Sequence, residues 1–320
     1  MLRVRDLVKT YPVRGGRSEL TALAGVSMDL QEGETLGILG ESGCGKSTLA
    51  RTLVQLERAT SGTVELDGVE LTRLSARAMR GHRRQIQMVF QDPYSALNPR
   101  HRVGDVLATV LDLHGLASGR AARRSRVGEL LETVGLDPAL AGRYPHELSG
   151  GQRQRIGIAR ALAVEPRVVV LDEPVSALDV SVRAGVMNLL SRLRRELGLS
   201  YVFITHDVAM ARHISDRVAV MYLGRVVEVG PWREVVDAAA HPYTRALGAA
   251  VPVPDPSLVE PLTQTVRGEV PDPANPPSGC PFHPRCPLAE DVCLRVDPPL
   301  ARLRSAPDSA RLAACHVVTR

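Results

Sequence analysis

The sequence predicts an α/β protein with a mixed sheet core, an antiparallel β subdomain at the N-terminus, an inserted helical subdomain and a small irregular cysteine-containing C-terminal extension. Three observations predict it. Short apolar runs alternate with helical patterns through the first 240 residues, a long and more polar helical stretch separates two of those runs, and four of the five cysteines fall in the last 41 residues.

Residues 2–13 and 20–30 alternate as strands do. Residues 35–39 form an apolar run leading into a glycine, and 46–55 follow as a helix. Residues 64–66 precede Asp67-Gly68, a hairpin turn pair, and 86–90 read as a buried strand. Helical patterning covers about 100–163. Strands are then expected at 168–171, 201–205, 218–222 and 225–229, with helices at 180–197 and 207–214. This alternation argues for a parallel sheet covered by helices, and the interruption argues for a helical insert at about 92–163. The main domain is expected over 1–240. Beyond it, 252–277 is studded with proline and expected to be extended, so 241–320 reads as a proline-rich linker and cysteine-bearing extension.

With 44% hydrophobic and 23% charged residues among 320, the chain has ample material for a core. No apolar run approaches the roughly 18 residues of a membrane helix, and the opening residues lack the pattern of a signal peptide. In a transport system the channel would therefore come from another polypeptide. The net charge of +5 is too mild to imply nucleic acid. The most basic stretch is Arg120, Arg123, Arg124 and Arg126, on a helical pattern whose apolar side is Val127, Leu130, Leu131 and Val134. A solvated helix face is the plain reading, and contact with anionic lipid the sharper one.

Gly40-Glu41-Ser42-Gly43-Cys44-Gly45-Lys46-Ser47-Thr48 fits the phosphate-binding pattern G-x-x-x-x-G-K-[ST]. Glycines let successive N–H groups curl towards a phosphate, and the following helix adds its positive end. Lys46 is expected to reach the β- and γ-phosphates of ATP, and Ser47 to ligate Mg²⁺. The apolar run 168–171 ends in Asp172 and Glu173. Asp172 is expected to hold Mg²⁺, and Glu173 to polarise the attacking water. Leu148-Ser149-Gly150-Gly151-Gln152 stands before a helix and offers a hydroxyl and free backbone donors, a second anion site beside only one lysine loop. A head-to-tail pair of chains, each closing its Ser-Gly-Gly turn over the other's nucleotide, is the economical solution.

In these motifs the chain resembles the ATPase subunits of ABC transporters. The resemblance implies that Leu148–Gln152 is the signature motif and Gln91 the glutamine that touches the metal–water shell. It makes Asp179 part of the segment facing the opposite subunit, His206 a γ-phosphate partner and Tyr11 the aromatic that stacks on adenine. No catalytic position departs from the family pattern, so an active ATP hydrolase is expected. Phe90-Gln91-Asp92-Pro93-Tyr94, Leu97-Asn98-Pro99-Arg100, His241-Pro242-Tyr243-Thr244-Arg245-Ala246-Leu247 and Cys280-Pro281-Phe282-His283-Pro284-Arg285-Cys286 are similar to the dipeptide/oligopeptide permease ATPases. Cys44 and Asn98-Pro99-Arg100 resemble the F-type of the two ATPase subunits in such importers.

That resemblance implies a second, related ABC ATPase subunit as partner, two integral membrane permease subunits and an extracytoplasmic solute-binding protein. The chain would then lie on the cytoplasmic face of the cell membrane, with 93–103 as the surface a permease loop docks on. An importer of nickel, glutathione or another small solute remains an alternative, because such a subunit does not touch the cargo. A soluble ABC ATPase acting on nucleic acid or ribosomes is disfavoured by the single phosphate loop and the lack of sustained heptads, so no nucleic acid partner is expected. An exporter ATPase is disfavoured by the tail.

Cys280, Cys286, Cys293 and Cys315 lie where persistent disulfides are rare, which suggests a metal or cluster. No C-x-x-C pair is present, and four loosely spaced thiolates with intervening prolines suit a [4Fe–4S] cluster. Zinc, metal-free buried cysteines and a mixed set including His316 stay open. Nothing in the sequence places this tail near the phosphates, so its expected role is structural. Cys44 reads as a small residue in the loop.

Overall fold

The computed structural model describes residues 1–12, 19–92, 97–249, 268–304 and 309–319. In chain order the elements open with β1 (Leu2–Pro12), β2 (Glu19–Leu30), β3 (Thr35–Leu39), α1 (Lys46–Leu53), β4 (Ser61–Leu66), β5 (Val69–Glu70), α2 (Ala76–His82) and β6 (Ile86–Val89). The helical stretch resolves into α3 (Val103–Leu113), α4 (Arg120–Thr133) and α5 (Gly150–Leu162) with two short 3₁₀ turns between α4 and α5. Then come β7 (Val168–Asp172), α6 (Val180–Leu197), β8 (Ser200–Thr205), α7 (Val208–Ile214), β9 (Arg217–Tyr222), β10 (Arg225–Pro231) and α8 (Pro242–Ala249). The described tail adds β11 (Ala301–Arg302), β12 (Leu312–Ala313) and α9 (His316–Thr319). Contacts divide the chain into two compact units, one of residues 1–30, 35–73 and 203–320, the other of 31–34 and 74–202.

In the first unit, β2-β1-β4-β5 form an antiparallel sheet, with β1 and β2 on the stretches expected as strands at 2–13 and 20–30. Its inward residues, among them Leu2, Val4, Leu7, Val26 and Val64, are fully buried. The second sheet of this unit runs β11-β12-β10-β9-β3, with residues 203–205 of β8 beside β3. The expected parallel pairing holds for β3 and β9, but β9 and β10 are an antiparallel hairpin turning at Leu223-Gly224. Two residues of turn cannot reverse a strand into a parallel neighbour, which needs a crossover of a dozen or more.

Most of the described tail is irregular, as expected, but it also joins the sheet. β12 pairs with β10 through Glu228↔Ala313 and Val229↔Leu312, so the extension lengthens the sheet instead of hanging from it. Tyr222, Tyr243 and Phe282 interlock with ring centroids 4.7–5.4 Å apart, in one apolar cluster with Leu39, Cys280 and Cys293. Most of the proline-rich stretch, 252–267, lies outside the described residues.

In the second unit β6 and β7 pair in parallel with Ile86 opposite Val168 and Val89 opposite Leu171. All five residues of β7 are buried, four of them the continuous apolar run of a covered parallel strand and the fifth Asp172. The apolar side of α4 is buried at Val127, Leu130 and Leu131. On its basic side, Arg123 pairs with Asp112 at 2.5 Å, and Arg126 with Glu129 and Glu165 at 3.0 and 2.6 Å. Among the described residues no helix is long and apolar enough to cross a membrane.

Candidate nucleotide site

The phosphate loop occupies the turn between β3 and α1 in the first unit. Gly45 has φ +101°, and a Cβ there would stand 2.3 Å from the carbonyl oxygen of Ala22. Both facts demand glycine. No side chain caps α1 at Gly45, and a helix N-terminus is the end that favours an anion. The Lys46 side chain is buried, and its ammonium donates to the carbonyls of Gly40 and Glu41 at 2.7 and 2.8 Å. Ser42 and Gly43 are exposed at the loop's crest, and Ser47 and Thr48 lie half-buried in the first turn of α1. Cys44 is buried beneath the loop, where burial pushes its thiol up against the opposing pull of Lys46.

Tyr11 ends β1. Its hydroxyl bonds to the Glu57 carboxylate, and the Lys9 ammonium sits 4.8 Å over its ring. His206 is exposed just past Thr205, the end of β8. Asp207 after it caps α7 by accepting from the amides of Ala209 and Met210.

The second unit carries the remaining motifs. Asp172 is buried at the end of β7, and Glu173 follows with φ +44°. A non-glycine residue there is strained, and such strain gathers at working sites. The Gln91 amide donates to the Glu173 carboxylate at 3.1 Å. Ser149 caps α5 reciprocally with Gln152: the Gln152 amide N–H donates to the serine hydroxyl at 3.2 Å, and the Ser149 N–H to the glutamine Oε1 at 2.9 Å. The side chain of Gln152 is thus engaged in shaping the turn. Gly150 and Gly151 pack on the segment that holds Asp179: a Cβ on Gly151 would stand 2.4 Å from Val182, and one on Gly150 3.3 Å from Leu178. Asp179 is exposed at the N-terminal end of α6. Of the expected docking stretch 93–103, residues 93–96 lie outside the described residues, Asn98 to Arg102 are exposed, and Leu97 and Val103 are buried.

Several structural side chains escaped sequence reasoning. Glu228 is fully buried in β10, where it pairs with Arg311 at 2.5 Å and accepts from the amides of Ala240 and His241, each at 3.0 Å. His241 is buried too, and its Nδ1 accepts the Tyr243 N–H at 3.1 Å. Burial holds its imidazole down at about 4, partly offset by a bond to the Ala314 backbone. Arg153 is buried and ties the carbonyls of Pro145 and Leu148 to α5. An isolated Glu in an apolar strand is the one signal that points to such a partner.

The tail also stands closer to the phosphate loop than the sequence implies. Arg285, on the turn between Cys280 and Cys286, pairs with Glu41 of the loop at 3.0 Å. Nothing in the sequence places the cysteine tail near the phosphates, and this ion pair does so. The aromatic cluster carries this segment under the loop, and sequence patterning cannot see that contact. Cys280, Cys293 and Cys315 are buried and Cys286 half-buried. Burial pushes the Cys280 thiol up to about 11, and Cys293, Cys315 and Cys286 add to the rise. Among the described residues no three His, Cys, Asp or Glu side chains stand close enough to hold a single metal ion.

Comparison with known proteins shows the family. The family described as ABC transporter matches residues 23–176, and the oligopeptide/dipeptide transporter C-terminal region matches residues 227–293. The oligopeptide transport ATP-binding protein OppF of Escherichia coli is 50% identical over 94% of this chain and 92% of its own length. AppF of Bacillus subtilis, also an oligopeptide transport ATP-binding protein, is 47% identical over 99% of this chain and 97% of its own. Among solved structures, the ATP-binding cassette MJ0796 bound to ADP and Pi is 33% identical with a TM-score of 0.66, over 73% of this chain and 99% of that one. The chain belongs to the ATP-hydrolysing, ATP-binding subunits of ABC transporters, in the oligopeptide/dipeptide branch that carries the C-terminal region.

Proposed function

We propose that this chain energises a membrane importer of di- or oligopeptides by binding and hydrolysing MgATP. The observation that carries this reading is the presence, in one chain, of the ABC ATPase region and the oligopeptide-type C-terminal region, in a sequence half identical to OppF. Its partners in this reading are a second ABC ATPase subunit in a heterodimer, two integral permease subunits and an extracytoplasmic solute-binding protein. It is peripheral to the cytoplasmic face of the membrane.

The residue roles follow the motifs. Gly40, Ser42, Gly43, Cys44, Gly45, Lys46, Ser47 and Thr48 hold the phosphates, with Ser47, Asp172 and Gln91 on the Mg²⁺ side. Glu173 is the general base, His206 meets the γ-phosphate and Tyr11 stacks on adenine. Ser149, Gly150 and Gly151, shaped by Gln152 and flanked by Asp179, serve the partner's nucleotide. The chain divides into an ATPase domain over 1–240, with its helical insert at about 92–163, and the extension over 241–320. Deleting the gene should abolish uptake of a labelled tripeptide, and the wild-type gene but not a Lys46→Ala copy should restore it. Undiminished peptide uptake with loss of nickel or glutathione uptake would reassign the cargo.

The four tail thiols are proposed to hold a [4Fe–4S] cluster. The residues fit such a group: three thiols are buried and one half-buried, and burial first, then the neighbouring thiols, raise the cost of ionising Cys280 and Cys286, which a cationic centre would relieve. A cubane gives each thiolate its own iron, so its ligands stand farther apart than the roughly 3.8 Å between ligands of one tetrahedral zinc. The proposal rests on the number and burial of the four thiols. When bound, the group supplies a staple for a segment with little core of its own. Anaerobically purified chain should contain iron and sulfide and absorb broadly near about 400 nm. A colourless, iron-free sample refutes it.

A further inference from the structure

Glu41 occupies the second position of the phosphate loop, immediately after Gly40. A carboxylate at the mouth of an anion site repels the ligand that site exists to hold. Two residues from outside the loop manage it. The Arg285 guanidinium spans both Glu41 oxygens, at 3.0 and 3.3 Å, from a side chain that is only 7% exposed. The hydroxyl of Tyr243 accepts the backbone N–H of Glu41 at 2.9 Å. Behind them, Arg285 reaches the Tyr222 hydroxyl at 3.4 Å, and Tyr222, Tyr243 and Phe282 pack as one aromatic block. The Lys46 ammonium takes the Glu41 carbonyl at 2.8 Å, so the residue Arg285 grips is also one that orients the phosphate-binding lysine.

We infer that Arg285 is a positioning residue for ATP binding: the C-terminal extension neutralises and fixes Glu41, and so holds the phosphate loop in a conformation that accepts the nucleotide. The two-point fork suits this task. A paired guanidinium and carboxylate present no net charge to the phosphates, and the buried arginine cannot swing away to compete for them. The extension thereby contributes to the nucleotide site itself.

The inference rests on the phosphate loop being the ATP site, and the test separates the two. MgATP titrations of the full chain are compared for wild type, Lys46→Ala, Arg285→Ala, Glu41→Gln and the Arg285→Ala/Glu41→Gln pair, with KM and kcat from phosphate release. Lys46→Ala should lose binding; if it does not, the reading of the loop fails. Arg285→Ala should raise KM and the dissociation constant about tenfold, by exposing the carboxylate, while kcat moves far less. Adding Glu41→Gln should return both to within about twofold of Glu41→Gln alone, because no charge is left to neutralise. A merely structural arginine would show the same loss in either background. That result, or an unchanged KM in Arg285→Ala, overturns the inference. Should Arg285→Ala fail to fold, Arg285→Gln keeps a donor for Tyr222, removes the charge and is read by the same comparison.

Discussion

Gln91 and Glu173 meet across 82 residues of chain, the amide of one donating to the carboxylate of the other at 3.1 Å. The glutamine follows β6 and the glutamate follows β7, and those strands pair in parallel. The bond to the glutamine holds one Glu173 carboxylate oxygen and so orients the group proposed as general base.

Glu173→Gln should therefore lower phosphate release by at least about a hundredfold, since the amide cannot take the proton, while MgATP binding stays within about twofold. A single-turnover assay beside an equilibrium titration reads both numbers. Unchanged phosphate release in this variant would remove Glu173 from its assigned role.

Gly151 supplies a second test, because its Cα faces Val182 with no room for a methyl group. Valine is branched at Cβ and cannot swing clear, so Gly151→Ala must part the Ser-Gly-Gly turn from the start of α6. ATPase activity of the assembled pair of chains should fall about tenfold, about 1.4 kcal/mol in the barrier. Val182→Ala in the same chain should recover most of it by making room. Equal activity in Gly151→Ala and wild type would show that the contact does not matter.

How much of this was legible depended on whether the cause was local. The phosphate loop declares itself through glycines whose backbone angles no other residue tolerates, and β7 through five consecutive residues that only a covered strand buries. The cap at Ser149 is likewise written within four residues. The hairpin of β9 and β10 was half legible: Gly224 marks the turn, but periodicity cannot state strand direction. Arg285 was visible as a residue between two cysteines and invisible as a partner of Glu41, 244 residues away. Glu228 belonged to the same class, a strand acid whose partner lies in another element.

Glu228 and Arg311 should show what that hidden pair contributes to stability. Arg311→Met leaves a fully buried carboxylate with two backbone donors and no cation, which should cost about 3 kcal/mol and lower Tm by several degrees. Glu228→Gln/Arg311→Met should be less destabilised than Arg311→Met alone, because it removes the stranded charge. The loss should be accompanied by faster proteolysis of the tail, whose β12 pairs with β10 beside this ion pair. Additive effects of the two substitutions would show that they do not interact.

His241 makes the extension sensitive to acid. Its imidazole is buried against Phe282, with ring centroids 5.8 Å apart, and its Nδ1 is occupied by the Tyr243 N–H, so protonation breaks that bond as well as burying a charge. The folded value of about 4 lies below the unfolded value of 6.5. Between those limits the unfolded chain binds the extra proton, so stability rises with pH through this window and is lost as pH falls through it. Below about 4 both states are protonated and the loss is complete, about 3 kcal/mol in all. Urea unfolding of the full chain at pH 7.5, 5.5 and 4.5 should show this slope. His241→Asn, which keeps an acceptor for Tyr243 but does not titrate in this range, should start less stable at pH 7.5 and lose less on acidification. An identical slope in the variant would mean that other groups carry the acid sensitivity.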